Sequence, residues 1–554
     1  MCGFFGFVNI TRQQDQAVLS DAMHVMASRG PDDARTWIGN GVGLAHCRLA
    51  IFDPSDRGAQ PMTKWKKTIV FNGAIYNFAE LKRELSNDYE FETDSDTEVI
   101  LAAYDKWGDA CQDRFNGQWA FCILDLGTGD LFASRDRFGI KPLYWLEHEG
   151  VLYFSSEYRC FECIDGFQLR ADEDFIISYL SKRKSQMVCP YQNIMQLEPG
   201  HQLRWQRREE RLQVTRFYQL PAASIAPIDF TEASAHFNQL LTDAVLLRMR
   251  GDVAYCSTLS GGIDSNSIAS IIASEVGQVR TFSIIFGSGK SKFSEENEIR
   301  QSMAFFKQDH NLVEADAQSL VDEIDVITRQ QELPIASMSV LAQWRLYRRI
   351  KNDECKIAID GQGADEYLMG YDSFLKKYPS NLIYYPGLVM SHLVKSGSQE
   401  IKLKSGEQLI AKETDPVDSA MRNSLPFLLH TLDRNSAGSG VECRVPFLDH
   451  RLVEFTRTLP TSYLLNRGVR KRILWAAMRE DIPPYLTSRR AKRAFLTPQD
   501  LWVEEHQALL AKEVHSKIDL IEKYIDIDHF NFAVLTKQDQ WRLFTLLHWL
   551  RQWN

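Results

Sequence analysis

The first 208 residues alternate apolar and polar positions over short stretches broken by glycine-rich turns. VGLAHCRLAIF (42–52), KTIVFNGAIY (67–76), WAFCILDLGTGDLFASRD (119–136) and VLYFSSE (151–157) carry the pattern most clearly and predict strands. Helices are predicted near Asn77–Leu85 and Thr97–Trp107. The mixture predicts an α+β domain of packed sheets over 1–208. Residues 209–228 (EERLQVTRFYQLPAASIAPI), with two prolines and small side chains, read as a linker. From 229 to 554 the period changes. Phe237, Leu240, Leu241, Ala244 and Val245 are spaced for a helix, and Val253–Leu259 is a short apolar strand. A glycine turn follows, then a helix bearing Ile268, Ile271 and Ile272, and strands at Thr281–Phe286 and Cys355–Ile359. Strands alternating with helices predict a parallel α/β sheet, and the last third reads as helix-rich.

Composition narrows the function. At 554 residues the chain is too long for one ordinary core, and 44% hydrophobic with 25% charged residues suits a globular protein. A net charge of -9 without a basic run argues against nucleic acid as a partner. No apolar stretch approaches the ~20 residues of a membrane helix, and MCGFFGFVNI lacks a signal peptide's charged start, so a cytoplasmic protein is expected. The ten cysteines are scattered, and the lone Cys160/Cys163 pair lacks the second pair a zinc site needs.

Cys2 follows Met1 directly. With Met1 removed it would carry a thiol and a free α-amine of pKa near ~8, which can serve as its own general base. Asn72–Gly73 offers a side-chain amide beside a backbone N–H, the two donors of an oxyanion hole, though Asn-Gly is also a common turn. Arg48 could pair with an α-carboxylate, or with a surface acid. Asp96 could hold an α-ammonium, or cap the helix that follows. Taken together they supply a nucleophile, an oxyanion hole and an amino-acid clamp.

MCGFFG, RGPDD, HCRLAIFD, FNGAIYN, SDTEVI and RDRFGIKPLYW, in that order, resemble the class II glutamine amidotransferase domain. The resemblance implies an αββα sandwich of the terminal-nucleophile type. Cys2 would be the nucleophile, Asn72 and Gly73 the oxyanion hole, and Arg48 with Asp96 the glutamine clamp, with the backbone around Leu49–Ile51 lining the pocket. The sequence departs from the usual pattern at Ala74, where a Glu is common, and at Ser28, where a His is common.

In the second half, Leu259-Ser260-Gly261-Gly262-Ile263-Asp264-Ser265 lies between a strand and a helix. Its glycines let backbone N–H groups approach phosphate, and the helix N-terminus adds partial positive charge. No Walker lysine is present; the run resembles the loop of enzymes that split ATP into AMP and pyrophosphate. IAIDGQGADEYLMGY, DRNSAGSGVECRVPFLDHRLVEF and GVRKRIL then resemble the synthetase half of glutamine-hydrolysing asparagine synthetases. That resemblance implies an adenine-nucleotide α/β domain with helical additions. Asp264 and Asp365 would hold Mg²⁺ between ATP phosphates. Lys471 would contact the α-phosphate, Leu259 and Ile284 would flank the adenine, and Asp360 and Gly361 would lie nearby. Gln362 stands where a Glu is common, and Glu332-Leu333-Pro334 where two acids precede the Pro, which places these departures in the acceptor pocket. Gln362 cannot take a proton from ammonia.

The expectation is therefore ATP-driven, glutamine-dependent amidation of a carboxylate through an acyl-adenylate. Aspartate is the first acceptor, and a sugar acid or biosynthetic intermediate the alternative. A non-catalytic binding or regulatory relative is the reading of another class, opposed by the intact Cys2, Asn72, Asp365 and Lys471. Ammonia must cross between the sites shielded from water. A homodimer is compatible with the resemblance.

Overall fold

The computed structural model describes residues 1–8, 16–39, 41–181, 189–287, 294–307, 309–316, 322–378, 415–487, 497–526 and 530–553. The first half contains β1 (Gly3–Val8), β2 (Asp33–Gly39), β3 (Val42–Arg48), β4 (Met62–Lys64), β5 (Lys67–Ile75), β6 (Gly117–Asp125), β7 (Leu131–Arg135), β8 (Tyr144–His148), β9 (Val151–Ser155), β10 (Met195–Gln196), β11 (His201–Gln206) and β12 (Arg211–Arg216). They form two antiparallel six-stranded sheets, ordered β10-β8-β9-β1-β3-β2 and β12-β11-β7-β6-β5-β4. Strand alternation decides the layers. Phe4 and Val8 of β1 face inward to meet Val70, Ala120, Cys122 and Leu124 of the other sheet. Phe5 and Phe7 face outward toward the helix Gln16–Met26. Ile69, Phe71 and Ile75 point the other way, onto the helices Phe78–Leu85 and Asp96–Trp107. The result is an αββα sandwich, as expected from the sequence.

The segment expected to be a linker is one only in part. β12 pairs with β11 along its whole length, so residues 211–216 close the edge of the second sheet. No position of RLQVTR is buried, so no inward face marks this strand among linker-like residues.

The second half is built on five parallel strands: β13 (Tyr255–Thr258), β14 (Arg280–Ile285), β15 (His310–Glu314), β16 (Ile357–Ile359) and β17 (Glu442–Arg444). Their order is β15-β14-β13-β16-β17. The order reverses between β13 and β16, and a ligand crevice opens outside the carboxyl ends of such a pair. Helices including Phe230–Met249, Ser339–Asn352 and Leu425–Ala437 cover the sheet, and Lys537–Trp553 packs against other helices. The two halves share one continuous apolar core.

Candidate functional site

Two sites emerge, one at the end of the sandwich and one at the switch point of the parallel sheet. At the first, Cys2 precedes β1 and its thiol lies 3.8 Å from the Leu49 carbonyl oxygen, to which it donates. Asn72 is fully buried on β5. With its amide turned to satisfy both neighbours, Nδ2 donates to the Cys2 carbonyl at 3.1 Å and Oδ1 accepts from Arg29 Nη2 at 3.2 Å. Gly73 is there because nothing larger fits: a Cβ would sit 2.1 Å from the Gln118 carbonyl oxygen. Burial pushes the Cys2 thiol up, against the pull of the nearby terminal amine and of the Leu49 backbone. The terminal amine here belongs to Met1, which is 1% exposed, and burial pulls that amine down to about 5.

Arg48 and Asp96, the residues expected to clamp glutamine, flank this end. The Arg48 guanidinium donates to the carbonyls of Ser55 (2.8 Å), Asp53 (2.5 Å) and Phe52 (3.3 Å), leaving N–H donors to spare. Gly58 lets it lie there, since a Cβ would come within 2.3 Å of Arg48 Nη2. Asp96 opens the helix Asp96–Trp107, and its Oδ2 accepts the Ile75 N–H at 2.9 Å. Its carboxyl is pushed up to about 7, first by burial and also by the Glu442 charge. The Ile51 carbonyl accepts from the Asp252 N–H at 3.0 Å, tying the segment after Arg48 to the second half. Ala74 pairs with Gln118 across β5 and β6, and Gln118 Nε2 reaches the Cys443 carbonyl of β17 at 3.0 Å.

Arg29 was not singled out by the sequence, although it sits in the RGPDD motif. It is fully buried, and its Nε donates to the Cys2 carbonyl at 3.0 Å. Its other nitrogens form a bidentate pair with Asp433 of the second half (2.9 and 3.0 Å). The pair belongs to a chain of buried charges. Arg434 meets Asp433 (2.8 Å) and Glu332 (2.6 Å), Glu332 accepts from the Arg159 N–H (2.8 Å), and Arg159 meets Glu157 (2.6 Å), which returns to Arg29 (3.4 Å). This overturns one expectation: Glu332 and Leu333 do not line the second crevice, because Glu332 is spent in this interface network.

The second crevice, about 270 Å³, lies at the ends of β13 and β16. Leu259, Ser260, Gly261, Gly262, Asp264, Ser265, Ile284, Asp360, Gly361, Gln362, Asp365 and Lys471 all line it, so the structure brings these together, Glu332 and Leu333 excepted. The loop is braced internally. Ser260 N–H donates to Ser265 Oγ (3.0 Å), and Asn266 Nδ2 spans the carbonyls of Ser260 (2.9 Å) and Gly262 (2.7 Å). Asn266 is a further residue that sequence reasoning passed over. The Gly261 N–H points at a carboxylate oxygen of Glu295 (3.0 Å), an anionic acceptor of the kind a phosphate oxygen provides.

Lys471 has a left-handed backbone (φ 52°) at the start of the helix Arg472–Met478, which aims its side chain into the crevice. Its Nζ lies 2.5 Å from Asp264 Oδ2 and 2.7 Å from Asp365 Oδ1. Burial opposes that charge, but the two carboxylates outweigh it and hold the ammonium pKa above its usual value. Gly370 makes the approach feasible: a Cβ would fall 1.7 Å from Asp365 Oδ1 and 2.4 Å from Lys471 Cε. The crevice thus combines a phosphate-type loop, two converging carboxylates and one cation.

Residues 1–218 match the glutamine amidotransferase domain family and residues 236–551 the asparagine synthase family. The chain belongs to the asparagine synthase family. Asparagine synthetase [glutamine-hydrolyzing] 3 of Bacillus subtilis is 29% identical, over 87% of this chain and 85% of its own length. Putative asparagine synthetase [glutamine-hydrolyzing] 2 of Methanocaldococcus jannaschii is 30% identical, over 69% and 78%. Amidase chry2 of Gibberella zeae is 24% identical, over 96% and 93%. In this asparagine synthase family member both halves are present, with the first docked on the second through Arg29–Asp433, Asn116–Asp449 (2.9 Å) and Gln118–Cys443.

Proposed function

We propose that glutamine is hydrolysed at Cys2 and that the ammonia is delivered to a carboxylate activated as an acyl-adenylate in the crevice between β13 and β16. The observation that carries this reading is the Lys471 ammonium held between Asp264 and Asp365 beside the Ser260–Ser265 loop. ATP is the energy source of this ligase family, and a loop without a Walker lysine suits cleavage to AMP and pyrophosphate.

At Cys2, after loss of Met1, the residue's own amine takes the thiol proton and the thiolate attacks the glutamine amide. Asn72 Nδ2 and the Gly73 N–H stabilise the oxyanion. Arg48 takes the α-carboxylate, and Asp96 ionises to hold the ammonium. At the second site Lys471 stabilises charge on the phosphate as the carboxylate attacks. Asp264 and Asp365 are hard oxygen donors that already converge on one cation, which fits them to hold Mg²⁺. When bound, that ion neutralises phosphate charge. Ammonia passes inside the protein, since in bulk water it would be protonated; Gln118 on β6 and Cys443 on β17 mark the interface it crosses.

Aspartate is the first acceptor on this reading, by analogy with the named asparagine synthetases. Another carboxylate is the second, favoured by Gln362 in the crevice lining and by the likeness to a protein named as an amidase. The ten free thiols suit a reducing cytoplasm. Among the described residues, no helix is long and apolar enough to cross a membrane. The test is pyrophosphate and AMP release across a panel of carboxylates that includes aspartate. ADP as the stoichiometric product would overturn the reading.

A further inference from the structure

One carboxylate in the crevice has no task in that scheme. Asp360 follows β16 directly and is 8% exposed. Its Oδ1 accepts the Gln362 N–H at 3.0 Å, and its Oδ2 accepts from Thr258 Oγ1 at 2.9 Å. Its own N–H donates to the Arg444 carbonyl at 2.9 Å, so the ends of β13, β16 and β17 all fix it. The neighbouring acids are otherwise engaged. Asp264 and Asp365 hold Lys471, Glu295 accepts from Gly261, and Glu366 is bonded to the Tyr371 hydroxyl at 2.5 Å. Asp360 meets a hydroxyl and a backbone N–H instead of a cation.

The chemistry leaves a proton to place. Ammonia's lone pair forms a C–N bond to the acyl carbon, and the bond from that carbon to the AMP phosphate oxygen breaks with its electron pair on phosphate. The nitrogen then carries one proton too many. Gln362, the side chain nearest in sequence, is an amide and cannot accept it. We propose that Asp360 accepts this proton, doing from position 360 what a carboxylate at position 362 would do. The inference rests on the reading of the crevice as the acyl-adenylate site.

The position suits the role. Asp360 lies on the side of the crevice next to β17, the strand that receives Gln118 from the glutaminase half. Burial raises its carboxyl above the usual range and the Asp264 charge adds to this, while the bonds from Thr258 and Gln362 pull the other way. A carboxylate so raised is a stronger base than one in water. The other titratable groups that face it are Cys443 on β17 and Tyr347 on the helix Ser339–Asn352, joined to each other at 3.1 Å, and burial holds both protonated.

The test separates two steps of one enzyme. Pyrophosphate–ATP exchange reports adenylation. Amide formation is measured with ammonium chloride in place of glutamine, using L-aspartate, L-glutamate and D-glucuronate as acceptors. Asp360→Asn preserves the size and can keep the bond from the Gln362 N–H, while its NH2 donates to Thr258 Oγ1 where the carboxylate accepted; Asp360→Ser serves as the second variant. Both should lose roughly 10²-fold more in amide formation than they lose in exchange. The wild-type amide rate should fall at low pH, and this limb should vanish in Asp360→Asn. Adding Gln362→Glu to Asp360→Asn should restore the rate and the limb, which a merely structural role would not allow. An unchanged amide rate and limb in Asp360→Asn would overturn the proposal, as would equal loss of exchange and amide formation. Absence of exchange in the wild type with every acceptor would overturn the adenylate reading itself, and this inference with it.

Discussion

Arg29 and Asp433, 404 residues apart in the chain, form a fully buried bidentate ion pair. The same guanidinium donates to the Cys2 carbonyl, so Cys2, the proposed nucleophile, is tied through Arg29 to a residue of the second half.

Asp433→Ala should therefore do damage at both levels. It leaves Arg29 and Arg434 buried without their shared partner, a loss of about 3–5 kcal/mol. The denaturation midpoint should fall, and glutamine hydrolysis should fall with it. The native pairing holds the Asp433 carboxyl well below the usual carboxylate range, against the opposing effect of burial. A group depressed in this way stabilises the fold above its unfolded pKa, and that stability is lost as pH drops toward the folded value. Acid unfolding should accordingly shift to higher pH in the variant. An unchanged midpoint would show that the pair is not needed.

Cys2→Ala should abolish glutamate release and leave ammonia-driven amide synthesis near normal. Met1 must also be absent from active enzyme. It is 1% exposed, so an aminopeptidase must act before the two halves close over it. Mass spectrometry of active and inactive fractions checks this, and glutaminase activity in a chain that retains Met1 would refute it.

Glutamine binding should weaken below neutral pH. Asp96 has its carboxyl raised from 3.8 to about 7, first by burial. The ligand's ammonium favours the ionised form, so below pH 7 binding must expel a proton. The KM for glutamine should rise by up to about tenfold per pH unit there, while ammonia-driven synthesis does not follow. For folding the sign is opposite: the raised Asp96 carboxyl contributes stability that is present below pH 3.8 and is lost as pH rises toward about 7, because the unfolded chain ionises first. Asp96→Asn should raise the KM and flatten its pH dependence.

Lys471→Ala should slow adenylation by ~10²–10³ without affecting glutamine hydrolysis. Gly370→Ala should act alike, since its Cβ would collide with Asp365 and Lys471. Pyrophosphate exchange measured beside glutamate release separates the two activities. Loss of both in Lys471→Ala would mean that the residue serves the fold.

The chemistry of both sites was legible in the chain because each motif is local. Ser260–Ser265 would bind through its own backbone, and Asn72–Gly73 and Asp96 each need only a strand or helix end to present them. The alternating strands of the sandwich were equally readable, because burial on one face writes a period of two into the sequence. The departures at Ala74 and Gln362 were visible too, as single residue types. What the tertiary structure alone decided is how distant residues meet. β12 looks like linker until β11 pairs with it. Glu332 looks like part of an acceptor pocket until Arg434 and Arg159 claim it. Asp360 becomes a candidate base only when Thr258 and Gln362 hold it in the crevice. Arg29 reaches Asp433 only because the two halves dock. Hydrogen bonds and ion pairs between residues hundreds of positions apart leave no periodicity in the sequence, so only the folded chain reveals them.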